Sequence, residues 1–333
     1  MFDSLHNAMN GWGIWSALLY VCLFIDASLL MIWRQEAMGK KGVEGTALGT
    51  LIMPYCSGLG NLMVVFVLLR HADAGGSVME NCLVNNVSNM TLLIGLPTLI
   101  WGMAVIPAGK IRKKEAQTHQ LNRISLLATL SAVFFFTGAV WVLSLDGSLD
   151  RGDGIALIGL FFFWQAVQVF DVMKSNVQKN HTLPKSLLFD LLLIGIGGVV
   201  SYFSIEGLVG WLNQSERGFL SKDYVGWITG WLTVLPNALM AFYYAWRKRS
   251  DVVYSSQVGD GHICIPLCVG LFALFQTIPS TPFMRNGLLV VVAATLVHFA
   301  FVAVLGRLPR FAGLVMIVAY IVFVKVGLSA IQS

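Results

Sequence analysis

The stretch YVGWITGWLTVLPNALMAFYYAWRKRSDVVYSSQVGDGHICIPLCVGLFALF, residues 224–275, decides how this chain is read. It contains two apolar runs separated by Arg247, Lys248, Arg249 and Asp251. The first run carries Thr233, Pro236 and Asn237 at its middle; the second carries Ser255, Ser256, Gln257, Gly259, Asp260, Gly261 and His262. Hydrocarbon offers no hydrogen-bond partners, so such residues belong at membrane depth only where a helix lines a cavity or packs inside protein. The stretch therefore predicts two broken membrane helices around a candidate site.

Composition supplies the class. Of 333 residues, 56% are hydrophobic and 12% charged, against roughly 25% charged in a soluble domain, and the mean hydropathy is +0.74. These values predict an all-α integral membrane protein. Ten runs of about 20 residues, each long enough to cross about 30 Å of hydrocarbon, fall near 11–33, 46–69, 78–106, 124–145, 154–174, 187–212, 224–246, 252–276, 287–306 and 310–330. The net charge of +5 is dispersed through short connections, so the expected partners are the lipid bilayer and membrane-complex proteins, with no nucleic acid.

Sixteen of the 22 Lys and Arg residues lie in the odd-numbered connections and five in the even-numbered ones. Bases are retained on the cytoplasmic side, which predicts both termini outside the inner membrane and the 107–123 and 175–186 connections in the cytoplasm. The first apolar run is long, has no basic segment before it and no small-residue cleavage site, so it reads as a retained helix. All five cysteines lie inside spans, with no pattern of a disulfide framework. Cys264 and Cys268 lack the further His or Cys that would complete a soft-metal site.

Five spans followed by five place the two halves in opposite orientations, so any internal repeat must be inverted. One is visible. CSGLGNL (56–62) in span 2 matches TVLPNAL (233–239) in span 7. Each precedes a polar helix start that turns apolar, ENCLVNNVSNMTLLIGL from Glu80 and SSQVGDGHICIPLCVGL from Ser255. The predicted organisation is a first five-helix repeat over 1–175, a cytoplasmic linker over 176–186 and a second repeat over 187–333.

These segments resemble the calcium/cation antiporter superfamily, which includes the sodium/calcium exchangers. Each of its inverted repeats carries a G-T-S-L-P-E-like break and then a G-N-x-x-G-S-N-x-x-N/D helix. The resemblance implies alternating access, with long gating helices 1 and 6. It places the acidic ligands of the breaks at Asn61 and Asn237, their hydroxyl neighbours at Ser57 and Thr233, the serines of the following helices at Asn85 and Asp260, and the ion-binding N/D positions at Asn89 and Cys264. Neither break glutamate survives. Calcium wants several oxygen ligands, usually carboxylates, at about 2.3–2.6 Å, and a site with one formal charge would leave it uncompensated in a low dielectric.

The expectation is a secondary transporter that moves a monovalent cation, or is proton-coupled through Asp260 and His262, with no cofactor beyond a bound monovalent cation. The alternative is a transport-silent exchanger-fold subunit or scaffold of a membrane complex. No dinucleotide fingerprint, P-loop, HExxH or serine-nucleophile elbow occurs in a usable context, so the chain is not read as an enzyme. Asp260 could also be a hydrogen-bonded bridge between repeats. His262, two residues on, lies on another helix face and suits packing. The asparagines suit either ligation or helix cross-linking. Asp26 and Asp190, in helices 1 and 6, are candidates for a proton relay, whereas Asp171 has Lys174 one turn away for a local ion pair. Trp12, Trp15, Trp211 and Trp227 near span ends suggest an interfacial belt.

Overall fold

Ten helical rods, joined by short connections, account for most of the described residues. The computed structural model describes residues 6, 9, 11–41, 47–106, 113–176, 186–215 and 218–332, without side chains for 47–57, 113–116, 118, 171, 172, 174–176 and 332. The predicted linker therefore lies almost wholly outside the described residues. The rods are α1 (Ile14–Lys40), α2 (Ala47–Leu68), α3 (Gly75–Trp101), α4 (Lys113–Leu143), α5 (Arg151–Asn176), α6 (Leu187–Asn213) and α7 (Val225–Trp246). Next comes α8, which runs from Ser250–Gly259 through a π-helical stretch at Ile263–Cys268 to a last turn at Val269–Ala273. The last two rods are α9 (Pro282–Leu305) and α10 (Arg310–Gln332).

Eight of these rods are long and apolar enough to cross a membrane. The other two are α2, whose described apolar portion is Gly58–Leu68, and α8, whose first half is polar. Several rods exceed the predicted runs because their ends carry bases, as at Arg34 and Lys40 of α1, and long basic side chains reach back to the interface from such positions. Helix ends follow local chemistry. At α9 the Thr281 hydroxyl accepts the Met284 N–H at 3.1 Å, Pro282 fills the first helical position, and Gly306 closes the helix at φ 63°.

The repeat is visible in the packing. A short strand β1 (Met103–Ala104) follows α3, and β4 (Arg307–Leu308) follows α9; the two pair antiparallel. Likewise β2 (Ser148–Leu149) after α4 pairs with β3 (Ile278–Pro279) after α8. Exchanging α3 with α8 and α4 with α9 turns one pair into the other at the opposite end of the bundle, as an inverted repeat requires. Glycine contacts obey the same exchange. A Cβ at Gly95 of α3 would lie 2.9 Å from the Gly313 carbonyl of α10, and one at Gly154 of α5 would lie 2.8 Å from the Gly270 carbonyl of α8. Small residues let helix backbones approach this closely.

One expectation is corrected. The helices predicted to break at 56–62 and 233–239 do not: α2 and α7 are continuous, and α7 carries Pro236 within an unbroken rod. A single proline removes one N–H, and neighbours in a membrane bundle absorb the carbonyl it frees. The irregular backbone lies in the helices that follow them, as π turns at Ser88–Leu92 of α3 and at Ile263–Cys268 of α8, the second helix in which a break is expected. Residues 88 and 263 are equivalent in the repeat.

Gly154 and Gly159 of α5 give a matched test. Gly154→Ala drives a methyl into the α8 backbone, an overpacking cost of about 1–3 kcal/mol, and is expected to lower the melting temperature of the detergent-solubilised protein by several degrees. At Gly159, where nothing lies within 4 Å, the same change is expected to leave melting unchanged.

Candidate functional site

Four helices meet at mid-depth, α2 and α3 from the first half and α7 and α8 from the second. Glycines bring α3 against α7: a Cβ at Gly226 would sit 2.5 Å from the Ser77 carbonyl, and one at Gly230 would sit 2.8 Å from Val84. Gly60 similarly admits the ring of Phe24 from α1, at 3.1 Å from a Cβ built there.

At this crossing the polar residues form one connected chain. Asp260 Oδ2 accepts from Asn89 Nδ2 at 3.0 Å and from Asn237 Nδ2 at 2.6 Å. The same Asn89 amide donates to Asn85 Oδ1 at 3.0 Å, and Asn85 Nδ2 donates to Thr233 Oγ1 at 3.0 Å and Asn61 Oδ1 at 3.3 Å. Asn237 is half-buried, while Asn61, Asn85, Asn89, Thr233 and Asp260 are buried. The Cys264 thiol donates to Asn85 Oδ1 at 3.6 Å. Under the repeat, Asn61 with Asn85 corresponds to Asn237 with Asp260, and Cys264 with Asn85 corresponds to Asn89 with Asp260. The hydrogen bonds follow the symmetry even though the residue types do not.

Asp260 is the only acidic residue of these four helices away from their ends; the others are Glu80 and Asp251. Asn89 Oδ1 is buried without a hydrogen-bond partner among the described residues. It is therefore an acceptor still open to a donor or a cation. A cavity of about 20 Å³, lined by Phe24, Ser28 and Met31 of α1, Asn61 of α2 and Thr233 and Asn237 of α7, abuts the chain. That volume is about one water-sized sphere.

The structure thus brings together Asp260, Asn237, Asn61, Asn89, Asn85 and Thr233. Ser57 lies in α2, but its side chain is outside the described residues. His262 is not brought in. Its Nε2 faces the Thr129 carbonyl of α4 at 3.3 Å, and its ring packs against Phe136 and Trp164. Two residues along a helix turn a side chain by about 200°, which is why His262 cannot share a site with Asp260.

Among the other acids, the buried carboxylate of Asp190 is ion-paired: it accepts from Arg34 at 3.5 Å and from Lys41, tying α6 to the basic end of α1. Those partners lie about 150 residues away in sequence, and no local pattern marks them. Asp26 faces away from the bundle, and the Asp171 side chain is outside the described residues. Further along α6, Glu206 bonds Arg70, in the turn that follows α2. At the same basic end of α1, Glu36 accepts from Tyr244 of α7. Trp227 corrects the aromatic belt: it is fully buried between Trp231, Phe283 and Phe323.

The profile of the family described as sodium/calcium exchanger protein matches residues 12–170 and 189–326. The chain belongs to this family. It is an integral membrane protein seated in the lipid bilayer, and an exchanger family is one of transporters, not enzymes. Among solved structures, the sodium-calcium exchanger NCX_Mj soaked with 2.5 mM Na+ and 10 mM Sr2+ has 19% identity and a TM-score of 0.65, covering 95% of this chain and 99% of that one. The same exchanger with 2.5 mM Na+ and 0.1 mM Ca2+ gives 19% identity and a TM-score of 0.61, over 92% and 96%. With zero Na+ and Ca2+ it gives 18% and 0.61, over 93% and 95%. At these identities the likeness establishes the fold, an all-helical exchanger bundle with inverted repeats. No curated protein sequence matches the chain.

The α1–α6 clasp is open to test. Breaking a buried ion pair by removing one partner costs about 3–5 kcal/mol, so Asp190→Ala is expected to lower the detergent melting temperature sharply. Lys41→Met, which removes a side chain 32% exposed, is expected to cost much less.

Proposed function

We propose that this family member is a secondary transporter that moves a monovalent cation or a proton by alternating access, and that the chain of Asn61, Asn85, Asn89, Asp260 and Asn237 is its cargo site. The observation that carries the reading is the position of Asp260: one carboxylate at mid-depth, held from both halves of the molecule by Asn89 and Asn237. An ionisable group at that depth is costly and marks ion or proton pathways. One negative charge balances one positive charge. A calcium ion there would keep an uncompensated charge in a low dielectric, whereas a monovalent ion ligated by amide, hydroxyl and carboxylate oxygens would not. The open acceptor on Asn89 supports ligation, and the π turns flanking the site are of the kind frequent at functional positions. The tight α1–α6 pair beside the cavity would be the moving element, as in other inverted-repeat transporters.

A second reading is favoured by one observation. Apart from Asn89 Oδ1, the polar atoms of the chain largely satisfy one another, and the adjoining cavity holds about one water. That is the packing of a transport-silent subunit, in which the asparagines act as cross-links.

In proteoliposomes, sodium, potassium or proton flux that is lost in Asp260→Asn, without calcium uptake in the parent, is the expected result. Calcium-dependent flux would overturn the monovalent reading. Absence of any flux, with no effect of Asp260→Asn, would leave the silent-subunit reading in its place.

The concentration of bases in the odd-numbered connections supports insertion in the inner membrane with both termini outside. In spheroplasts, a tag fused at either terminus is expected to be reached by added protease; protection of both tags, with cleavage after lysis, would reverse the orientation.

A further inference from the structure

Helix α1 carries an unsatisfied charge on the wrong face. Its buried residues, among them Ala17, Tyr20, Phe24, Ala27, Ser28 and Met31, form one stripe against α6, α2 and α7. Diametrically opposite runs a second stripe of Trp15, Cys22, Asp26, Leu29 and Trp33, all exposed. Asp26 makes no hydrogen bond or ion pair among the described residues. Trp15 and Trp33 are eighteen residues apart, about 27 Å along the helix, close to the thickness of hydrocarbon between two aromatic belts. Asp26 falls about 10 Å from the nearer tryptophan on that measure. Its short side chain cannot reach either interface, and the stripe places it where lipid tails would lie.

Among the described residues, no base lies at similar depth on the neighbouring faces. Arg34, two turns away, stacks over Trp33 at 3.3 Å and bonds Asp190. Among the described residues, the other outward-facing mid-helix charge is Lys325 of α10. It lies seven residues before the helix end, about 10 Å, and its long stem lets the ammonium rise to the interface. A second copy of this chain does not supply the missing partner either. Measured from the basic ends Arg34 and Arg310, Asp26 stands about 12 Å into the membrane and Lys325 about 22 Å, a mismatch of depth for a side-by-side pair.

We propose that the outward stripe of α1 is a docking surface for a membrane-spanning helix of another protein, one that places a Lys or Arg at mid-depth against Asp26. The apolar residues around Asp26 provide the packing surface, and Asp26 fixes register and partner, since an intramembrane charge is matched by an opposite charge in protein. A helix without the base would leave the carboxylate unpaired and is thereby disfavoured as a partner. The proposal does not depend on whether the site at Asp260 carries cargo.

Cys22, one turn from Asp26 and exposed, provides the probe. The full-length chain, with Cys56 changed to Ser, is labelled on Cys22 with a photoreactive benzophenone maleimide in membranes of its own cell and irradiated, and the attached peptide is sequenced. The expected product is an apolar segment of about 20 residues, enough to span the bilayer, with Lys or Arg near its middle. Asp26→Asn is expected to cut its yield at least about tenfold, as for loss of one member of a desolvated charge pair, while Asp26→Glu retains it. The melting temperature of the purified Asp26→Asn chain in detergent is expected to be no lower than that of the parent. Attachment to lipid alone, to a peptide of this same chain, or to a helix without a base would overturn the proposal. So would an undiminished yield in Asp26→Asn, or a lower melting temperature, which would show the carboxylate serving the chain's own fold.

Discussion

Within hydrocarbon a polar group has only other protein groups to bond with, and the centre of this molecule follows from that constraint. Asn61, Asn85, Asn89, Thr233, Asn237 and Asp260 come from four helices and two halves of the chain, and each is bonded to another member of the set. Neither half alone could satisfy them. The glycines of α7 that admit α3 place these side chains within reach of one another, so close backbone packing and polar satisfaction are one arrangement.

On that symmetric frame the charge is asymmetric. The position equivalent to Asp260 in the first half is Asn85, a neutral amide that bonds Asn61 much as Asp260 bonds Asn237. The cost of a mid-membrane charge is thereby met once rather than twice. The carboxylate draws donors from both α3 and α7, so changes at Asp260 are felt in both halves. Around the centre, Asp190 with Arg34 and Lys41 ties helices α1 and α6 to each other, while Glu206 with Arg70 and Glu36 with Tyr244 tie that pair to the remaining bundle.

Much of this was legible in the sequence. The ten runs and the inverted pairing of 56–62 with 233–239 follow from hydropathy and the spacing of polar residues, and Asn61, Asn85, Asn89, Thr233, Asn237 and Asp260 were found because polar residues at mid-span are few. What escaped has common causes. Breaks are expected in α2 and α7 as well as α8 because Gly and Pro are visible as letters, whereas a π turn such as Ser88–Leu92 arises from an extra residue within a helix and has no letter of its own. The partners of Asp190 are about 150 residues distant, beyond any local pattern. For His262 the two-residue step from Asp260 already points to another face and to packing, whereas Trp227 is read by depth alone, and depth does not say which way a side chain turns. The second faces α10 and is wholly enclosed.

The strand pairs at the two ends of the bundle have a consequence for synthesis. β1 leaves the ribosome directly after α3, but the strand it needs, β4, follows α9; β2 likewise waits for β3 after α8. Gly95 of α3 cannot find its counterpart until Gly313 of α10 has been made. The first five helices must therefore be held in the bilayer as an unfinished bundle, with its close-packing faces uncovered, until nearly the whole chain has been inserted. The final structure closes late, by interleaving, and the two halves mature as one object rather than in succession.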